Sequence, residues 1–288
     1  DDLLNRDEVK ADEALLNKNI KSKIVMVTGG GGSIGSELCR QIIKFNPKSL
    51  LILELNEFAL YKIYNELTAN KNDIKIVPLL CNVQNQKKIE IILDTYKVNT
   101  IYHTAAYKHV PLVEENICEG IKNNVFGSLA VVNASISNKV STLVLISSDK
   151  AVRSTNVMGA SKRLSELCMQ GIHHEKDHMT DFSIVRFGNV LESSGSVIPK
   201  FKKQIESGGP VTLTHKDVTR YFMTVTEAAQ LVIQAGAMGK KSEVFVLDMG
   251  KIVKIKDLIY KMIALSGLKV KDKENPNGDI EIKIIGLK

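Results

Sequence analysis

Short apolar runs alternate with segments of helical periodicity along most of the chain. The runs lie at 24–28, 49–53, 74–79, 99–103, 142–147, 182–187 and 243–247. Apolar runs of this length without an alternating polar face are typical of strands that are buried on both sides. Because helical segments fill the gaps, the pattern predicts an α/β fold built on a doubly wound parallel sheet.

Both ends of the chain depart from this rhythm. Residues 1–20 are polar with weak helical spacing and are interpreted as a lead-in segment. Residues 21–186 are predicted to form the main, NAD-binding domain. A later segment near 222–248 is predicted to return to that domain. Serine- and glycine-rich segments beyond Arg186 separate shorter elements and predict a smaller, substrate-binding lobe over 187–288. The final alternating run, 279–285, predicts an edge strand.

Composition narrows the class of protein. With 44% hydrophobic and 25% charged residues in 288, the chain can bury a full core, which excludes a disordered protein. No stretch approaches the roughly 18 apolar residues of a membrane span, so the chain as given is predicted to be soluble. Four well-separated cysteines without a C-x-x-C motif favour a reducing compartment over a disulfide framework or a zinc site.

The charge distribution and the placement of the histidines indicate neither nucleic-acid binding nor a metal site. The formal charge of +7 is spread evenly and aromatic residues make up only 5%, which disfavours nucleic-acid binding. His173, His174 and His178 lie in a polar segment without a ligand-spaced partner. We interpret that segment as a solvated loop, and no metal site is predicted.

The strongest local motif directly follows the first predicted strand. Thr28-Gly29-Gly30-Gly31-Gly32-Ser33-Ile34-Gly35 leads into an amphipathic helical pattern. Glycine suits a tight turn at Gly29, close approach of a pyrophosphate at Gly32 and helix-on-strand packing at Gly35, while the helix N-terminus attracts an anion. Strand, loop and helix together predict a dinucleotide site in a Rossmann-type domain.

Glu54 ends the second predicted strand about 20 residues beyond the glycines, where a carboxylate accepts hydrogen bonds from ribose hydroxyls. A 2′-phosphate at this place would be repelled, and no adjacent arginine relieves the repulsion. The cofactor is therefore predicted to be NAD rather than NADP.

Several longer stretches, in order along the chain, resemble those of a known enzyme family. They are Thr-Gly-Gly-Gly-Gly-Ser-Ile-Gly-Ser-Glu-Leu at 28–38, His-Thr-Ala-Ala-Tyr-Lys-His-Val-Pro at 103–111, Ser-Ser-Asp-Lys-Ala-Val-Arg at 147–153, Asn-Val-Met-Gly-Ala-Ser-Lys-Arg at 156–163, Arg-Phe-Gly-Asn-Val-Leu at 186–191 and Thr-Arg-Tyr-Phe-Met-Thr at 219–224. The chain resembles the UDP-N-acetylglucosamine 4,6-dehydratases of bacterial surface-glycan biosynthesis, which belong to the extended short-chain dehydrogenases/reductases.

The resemblance implies a lyase reaction without net redox change. NAD, tightly bound and recycled, takes hydride from C4 of the sugar, water leaves across C5 and C6, and the hydride returns to C6. Asp149 would be the acid for the departing hydroxyl, Lys150 the base at C5, and Ser148 a hydroxyl at the C4 oxygen. Met158 replaces the tyrosine of the usual Tyr-x-x-x-Lys and cannot take a proton, so deprotonation at C4 falls to Ser148, Asp149 or water, while Lys162 holds the nicotinamide ribose.

The resemblance also implies ligands outside this constellation. For the cofactor they are Gly29, Gly32, Ser33, Ile34, Gly35, Glu54, Asn82, Val83, Ala105, Ala106 and Lys162. For the nucleotide sugar they are Lys108, Asn189, Ser194, Val197, Lys200 and Arg220. Arginine suits a diphosphate because its guanidinium binds phosphate oxygens in a bidentate fashion.

Three alternatives remain open. A nucleotide-sugar 4-epimerase and a 5-inverting 4,6-dehydratase share the fold, and a non-catalytic NAD-sensing regulatory protein is a different class. Retention of Asp149, Lys150 and Lys162 argues against the sensor.

Methionine at position 158 is typical of the long, membrane-anchored, configuration-retaining members of the family. The resemblance therefore predicts that this chain is the soluble catalytic fragment of a protein held at the cytoplasmic face of the bacterial inner membrane through a missing N-terminal region.

The chain is also expected to form at least a homodimer through helices over 117–137 and 156–172. Val125, Leu129, Val132 and Ile136 form one apolar stripe. The apolar surface beyond it, which suggests a subunit contact, comes from Ala130, Val131 and Ala134.

Overall fold

A computed structural model of the chain describes residues 9–69, 73–175, 177–191, 193 and 195–286. The strands are β1 (Ile24–Thr28), β2 (Ser49–Glu54), β3 (Lys75–Leu80), β4 (Thr100–His103), β5 (Thr142–Ile146), β6 (Asp181–Arg186), β7 (Asn189–Val190), β8 (Val211–Leu213), β9 (Thr219–Arg220), β10 (Phe222–Met223), β11 (Glu243–Val246), β12 (Val253–Lys254), β13 (Val270–Lys271) and β14 (Ile280–Ile284). The helices are α1 (Glu13–Lys18), α2 (Ser33–Ile43), α3 (Glu57–Ala69), α4 (Gln86–Tyr96), α5 (Val110–Glu115), α6 (Ile117–Ile121), α7 (Gly127–Ser137), α8 (Val157–Glu175), α9 (Val197–Glu206), α10 (Val225–Met238) and α11 (Ile255–Leu265).

The central sheet confirms the predicted fold class. Seven strands pair in the order β11-β6-β5-β4-β1-β2-β3, and every pairing is parallel. β1, β2 and β5 are buried along nearly their whole length, as strands covered on both faces must be. The strand order reverses between β1 and β4, and in such sheets ligands bind in the crevice beyond the carboxyl ends at that point.

The predicted helix over 117–137 is divided. α6 ends at Ile121, a π-helical turn covers Lys122–Phe126, and α7 begins at Gly127. Sequence periodicity did not show the turn, because a π-bulge disturbs the helical pattern over only a few residues.

α7 is buried on nearly all sides, as expected of a helix that is apolar all round. Ala130, Val131 and Ala134 are 6%, 0% and 0% exposed, so they face this chain's own core. The interpretation of these residues as surplus surface for a neighbouring subunit is therefore wrong. Exposed apolar side chains of the region lie instead on α8, at Leu164 and Leu167, and on the π-helical turn, at Phe126.

The chain divides into two compact units. The larger contains Val9–Phe187 and Thr226–Leu247, and the smaller contains Gly188–Val225 and residues 248–286. Part of the predicted lead-in segment belongs to the larger unit. α1 is capped by Asp12, whose backbone N–H donates to Gln234 Oε1 of α10, and Asn19 donates to the carbonyl of Gly236.

The smaller unit has its own apolar core, built mainly from α9, α11 and β8. Its three-stranded sheet has the order β13-β14-β8, so β14 is the central strand and its prediction as an edge strand is wrong. Ile280 and Glu281 pair with β13, whereas Ile282–Ile284 pair with β8. The alternation of apolar and charged residues in β14 reports which face is solvated, and it carries no information about pairing at the strand's edges.

Among the described helices, none combines the length and apolar composition that crossing a bilayer requires.

Candidate functional site

A cleft of about 540 Å³ lies in the larger unit, beyond the carboxyl ends of β1, β2 and β4. The structure brings seven of the predicted cofactor residues to its wall, namely Gly29, Gly32, Glu54, Asn82, Val83, Ala105 and Ala106. Sequence reasoning missed other lining residues, among them Asn56, Thr104, Tyr107 and Asn123. Asn56, Thr104 and Tyr107 lie close behind strand ends, and Asn123 lies in the π-helical turn. Polar residues are common behind strands, and nothing in the sequence indicated the turn, so residue type gave no signal.

The glycine loop joins β1 to the N-terminus of α2. Gly29 has a φ of +68°, a conformation that favours glycine, and its N–H donates to the carbonyl of Leu53. A Cβ on Gly35 would lie 2.1 Å from the Gly29 carbonyl oxygen, so only glycine lets α2 pack this close. A Cβ on Gly32 would meet only that same oxygen, at 3.3 Å, which leaves the Gly32 backbone accessible from the cleft.

Glu54 is fixed at the end of β2 by three backbone donors. Its Oε2 accepts from Gly31 N at 3.0 Å, and its Oε1 accepts from Leu55 N and Asn56 N. A carboxylate has about four lone-pair positions, so it keeps capacity for a hydroxyl donor from a ligand. An immobile carboxylate together with bare backbone at a helix N-terminus fits a dinucleotide with free ribose hydroxyls.

Ser148, Asp149 and Lys150 form a compact turn after β5. Ser148 Oγ donates to Asp149 Oδ1 at 3.0 Å, and Lys150 Nζ contacts the same oxygen at 3.0 Å. Ser148 also accepts from Lys150 N and so caps the 3₁₀ turn Asp149–Ala151. The side chains of Asp149 and Lys150 are 43% and 33% exposed, so a ligand can reach both.

Met158 and Lys162 lie in the first two turns of α8. Asn156 precedes this helix, and its Oδ1 accepts a hydrogen bond from Gly159 N. Met158 is buried, and it offers no group that exchanges protons. Lys162 Nζ donates to the carbonyl of Ile146 at 2.7 Å, and burial lowers the pKa of Lys162 to about 8, although Glu166 opposes the shift. Ser33 and Ile34 begin α2, and they and Lys162 are not among the residues that line the cleft.

Lys108 lies in the segment behind β4, two residues beyond the cleft-lining Ala106. Burial of its ammonium group and the positive charge of Lys150 lower the pKa of Lys108, although the residue as a whole is exposed. The expectation that Lys108 binds the nucleotide sugar stays a prediction.

A buried ion pair stabilises the backbone next to the Ser148–Lys150 turn. Glu166 of α8 accepts from Arg186 Nε at 2.8 Å, from Arg163 Nη1 at 3.0 Å and from Ser147 Oγ. Burial by itself raises the pKa of Glu166, but the hydrogen bonds from Arg186, Ser147 and Arg163 outweigh burial and lower it. Since Ser147 precedes Ser148, the pair fixes the backbone where the turn begins.

The predicted substrate residues beyond Lys108 belong to the smaller unit. Asn189 lies in β7, and its N–H donates to the carbonyl of Tyr221. Val197 and Lys200 lie on α9, and the exposed Arg220 donates to its neighbour's carbonyl at Thr219. Ser194 lies outside the described residues.

The histidine segment is less solvated than predicted. His173 and His174 lie in the last turn of α8, and His173 Nδ1 is 3.3 Å from His178 Nε2. His178 packs on the ring of Phe182, with the ring centroids 4.8 Å apart, and both His173 and His178 are half-buried. The prediction of a solvated loop is therefore wrong for these two residues. In the described part of the chain, no group of three or more His, Cys, Asp or Glu side chains is placed to hold a metal ion.

Sequence comparison identifies the family. A family described as polysaccharide biosynthesis protein matches residues 25–288. The chain belongs to this family. Capsular polysaccharide biosynthesis protein CapD of Staphylococcus aureus is 51% identical over 273 residues, which are 94% of this chain and 45% of CapD. A UDP-glucose 4-epimerase of Rickettsia rickettsii is 34% identical over 229 residues, 78% of this chain and 65% of the epimerase. The chain thus spans less than half the length of CapD.

Solved structures confirm the extended short-chain dehydrogenase/reductase fold. Pen from Bacillus thuringiensis superposes with a TM-score of 0.84 at 31% identity, over 94% of this chain and 81% of Pen. DesIV from Streptomyces venezuelae, a dTDP-glucose 4,6-dehydratase solved with NAD and TYD bound, gives 0.78 at 18% identity, over 92% of this chain and 85% of DesIV. At that identity DesIV supports the fold alone.

Proposed function

We propose that the chain is an NAD-dependent 4,6-dehydratase that converts UDP-N-acetylglucosamine to the 4-keto-6-deoxy sugar for surface polysaccharide. The observation that carries this proposal is the contact of both Ser148 Oγ and Lys150 Nζ with one oxygen of Asp149. Elimination of water needs an acid at the leaving hydroxyl and a base at the neighbouring carbon. This turn supplies both groups, and the Ser148 hydroxyl is hydrogen-bonded to the acid.

The cleft residues would hold NAD. The α2 N-terminus at Gly32 suits the pyrophosphate, and Glu54 suits the adenosine ribose. When bound, NAD would supply the acceptor for the C4 hydride and return that hydride to C6. The bare backbone at the α2 N-terminus and the fixed carboxylate of Glu54 support the choice of cofactor.

The turn gives the protons a balanced route. The C4 hydroxyl proton passes to Ser148 Oγ as Ser148 gives its own proton to Asp149. Asp149 then protonates the C6 hydroxyl, which leaves as water. Lys150, acting as the amine, takes the C5 proton and returns it to C5, so the side chains end in their starting states. Because Met158 cannot exchange a proton, Ser148 and Asp149 accept the proton of the C4 hydroxyl.

Incubation with UDP-N-acetylglucosamine tests the proposal. The product should lose the mass of one water, and its NMR spectrum should show a C6 methyl group. Lys150→Met should abolish the product while NAD remains bound. A product of unchanged mass with inverted C4 would contradict the dehydratase.

A 4-epimerase is the second candidate, favoured by the 34% identity to the rickettsial UDP-glucose 4-epimerase. Epimerisation exchanges hydride at C4 only and needs no base at C5. Lys150→Met would therefore leave an epimerase largely active, which separates the two reactions.

We also propose self-association and membrane attachment of the full-length protein. Self-association is supported by an exposed stripe of small and apolar residues along α8, formed by Ala160, Leu164, Leu167 and Gly171. Membrane attachment at the cytoplasmic face follows from the family resemblance, and fractionation of cells that express the full-length gene tests it.

A further inference from the structure

Gly159, in the first turn of α8, packs directly against the backbone of the Ser148–Lys150 turn. It is buried, and a Cβ built on it would lie 2.2 Å from the Lys150 carbonyl oxygen and 3.0 Å from the carbonyl carbon. Cβ atoms in proteins do not come this close to other heavy atoms, and a backbone carbonyl cannot rotate away as the end of a long side chain can. Any residue other than glycine at position 159 would therefore displace the turn or the helix.

Both sides of this contact are fixed by a hydrogen bond. The Lys150 carbonyl accepts from Ser154 Oγ at 3.1 Å. On the side of the helix, Gly159 N donates to Asn156 Oδ1 at 2.8 Å. Movement of either partner away from an added methyl group would strain one of these two bonds.

The contact joins two elements that carry different parts of the candidate site. The turn carries Asp149 and Lys150. The helix carries Lys162, which lies three residues, or nearly one helical turn, beyond Gly159. Lys162 is itself held by the carbonyl of Ile146 at the end of β5. How closely the turn packs on α8 therefore sets the position of the acid and the base relative to Lys162.

We infer that Gly159 is a positioning residue. The absence of its side chain lets the Lys150 carbonyl pack on α8, and this contact holds the proton-transfer groups of the turn in place for the reaction. The kinetic part of the inference rests on the proposed function, whereas the structural part does not. Gly159 touches no reacting atom and acts through the turn.

Hydrogen exchange tests the contact without any substrate. The Ala151 amide donates to the Ser148 carbonyl within the 3₁₀ turn, so its exchange reports opening of that turn. In Gly159→Ala the added methyl group should displace the Lys150 carbonyl, and the Ala151 amide should exchange at least about tenfold faster. The rate is measured relative to the amide of Val144 in the buried strand β5, which corrects for a general loss of stability.

Gly171→Ala is the matched control within the same helix. A Cβ on Gly171 would meet no heavy atom within 4 Å, so this variant gains the same helix propensity without the steric conflict. It should raise the Tm slightly and keep the protection of the Ala151 amide.

Gly278→Ala is the control for the steric conflict itself. A Cβ on Gly278 would lie 2.3 Å from the Val270 carbonyl oxygen, which is nearly the same conflict within the smaller unit. This variant should lower the Tm, and the Ala151 amide should keep its protection relative to Val144.

Kinetics then test whether the contact serves the reaction. Gly159→Ala should lower kcat at least about tenfold, because a displacement of about 1 Å misplaces the proton-transfer groups. Its KM for UDP-N-acetylglucosamine should change by less than about twofold, since the predicted sugar-binding residues lie elsewhere. Gly278→Ala should keep kcat within about twofold of the wild type. Each kcat is calculated per folded molecule, from the circular-dichroism signal at the assay temperature.

Ser154→Ala provides a second route to the same contact if Gly159→Ala does not fold. It removes the hydroxyl that donates to the Lys150 carbonyl and introduces no steric conflict. The Ala151 amide should again exchange faster, by at least about threefold relative to Val144. Unchanged exchange in this variant would mean that the Lys150 carbonyl does not hold the turn, which would overturn the inference.

The other outcomes are equally decisive. Normal protection of the Ala151 amide in Gly159→Ala would overturn the inference, and so would a normal kcat. An equal loss of kcat in Gly278→Ala would also overturn it, because general destabilisation would then explain both variants. Wild-type protein that does not turn over UDP-N-acetylglucosamine contradicts the proposed function instead, and the exchange measurement still decides whether Gly159 positions the turn.

Discussion

Replacing Glu166 with glutamine removes a buried anion that faces Arg186. The Glu166 side chain is 0% exposed and that of Arg186 is 15% exposed, so the guanidinium would stay in a poorly solvated place without its counter-charge. The amide would also point an N–H group at one of the donors of Arg186 or Ser147.

The magnitude follows from this burial. Removing one partner of a buried ion pair costs about 3–5 kcal/mol of unfolding free energy, and we expect about 3 because Arg186 keeps some access to water. Domains have total stabilities of about 5–15 kcal/mol, so the loss is a large part. With about 2–4 °C per kcal/mol for a unit of this size, the Tm should fall by about 6–12 °C.

Urea unfolding followed by circular dichroism measures this loss, and Arg163→Ala is the control. Arg163 also bonds Glu166, but its side chain is 41% exposed, so its removal should cost at most about 1 kcal/mol. If Glu166→Gln were as stable as Arg163→Ala, the buried pair with Arg186 would not support the turn in the way that we describe.

The same variant has a defined pH dependence. Because the folded protein lowers the pKa of Glu166, the ionised carboxylate adds stability above its unfolded value and loses that contribution as the pH falls through the folded value. The gap between wild type and Glu166→Gln should therefore be full at neutral pH and shrink below about pH 4. A gap that widens on acidification would contradict this sign.

Three further predictions concern the site and the surface. Asp149→Asn and Lys150→Met should each lower turnover by at least about two orders of magnitude with NAD still bound, because each removes a proton-transfer group, and near-normal turnover would exclude the assigned roles. Glu54 should make NAD bind at least about tenfold more tightly than NADP through repulsion of the 2′-phosphate, and equal affinities by calorimetry would refute this. Leu164→Glu or Leu167→Glu should shift a dimer towards monomer in light scattering; a wild-type monomer of 31.8 kDa with full activity at micromolar concentration would contradict self-association there.

Short, mainly apolar runs that alternate with helical segments made the central sheet predictable. All seven runs coincide with strands of the sheet to within about a residue or two, and helical segments between them predicted that the strands pair in parallel. The surroundings of α7 were less predictable, because an apolar residue such as Val131 looks the same whether its own chain or another subunit covers it. Pairing in the smaller unit depends on contacts distant in sequence, and the pattern of β14 does not encode them.

Some residues of the candidate site could likewise be predicted from the sequence, and others could not. Gly29 and Asp149 lie just behind strands and Glu54 ends one, and at these places motif and position together indicate chemistry. Glu166 could not be recognised, since a glutamate within a helical pattern is usually exposed. Its importance comes from Arg186, 20 residues away in the sequence.

The docking of α1 sets a practical limit on where this domain can be shortened. Lys18 and Asn19 donate to the carbonyls of Ala237 and Gly236 at the end of α10, groups that a helix cannot satisfy by itself. Ile20 behind them is completely buried. A gene trimmed to begin at the first strand would still encode every residue of the cleft, yet it would remove the donors to the Gly236 and Ala237 carbonyls and leave a cavity where Ile20 packs. Protein engineers should place the start before Asp12.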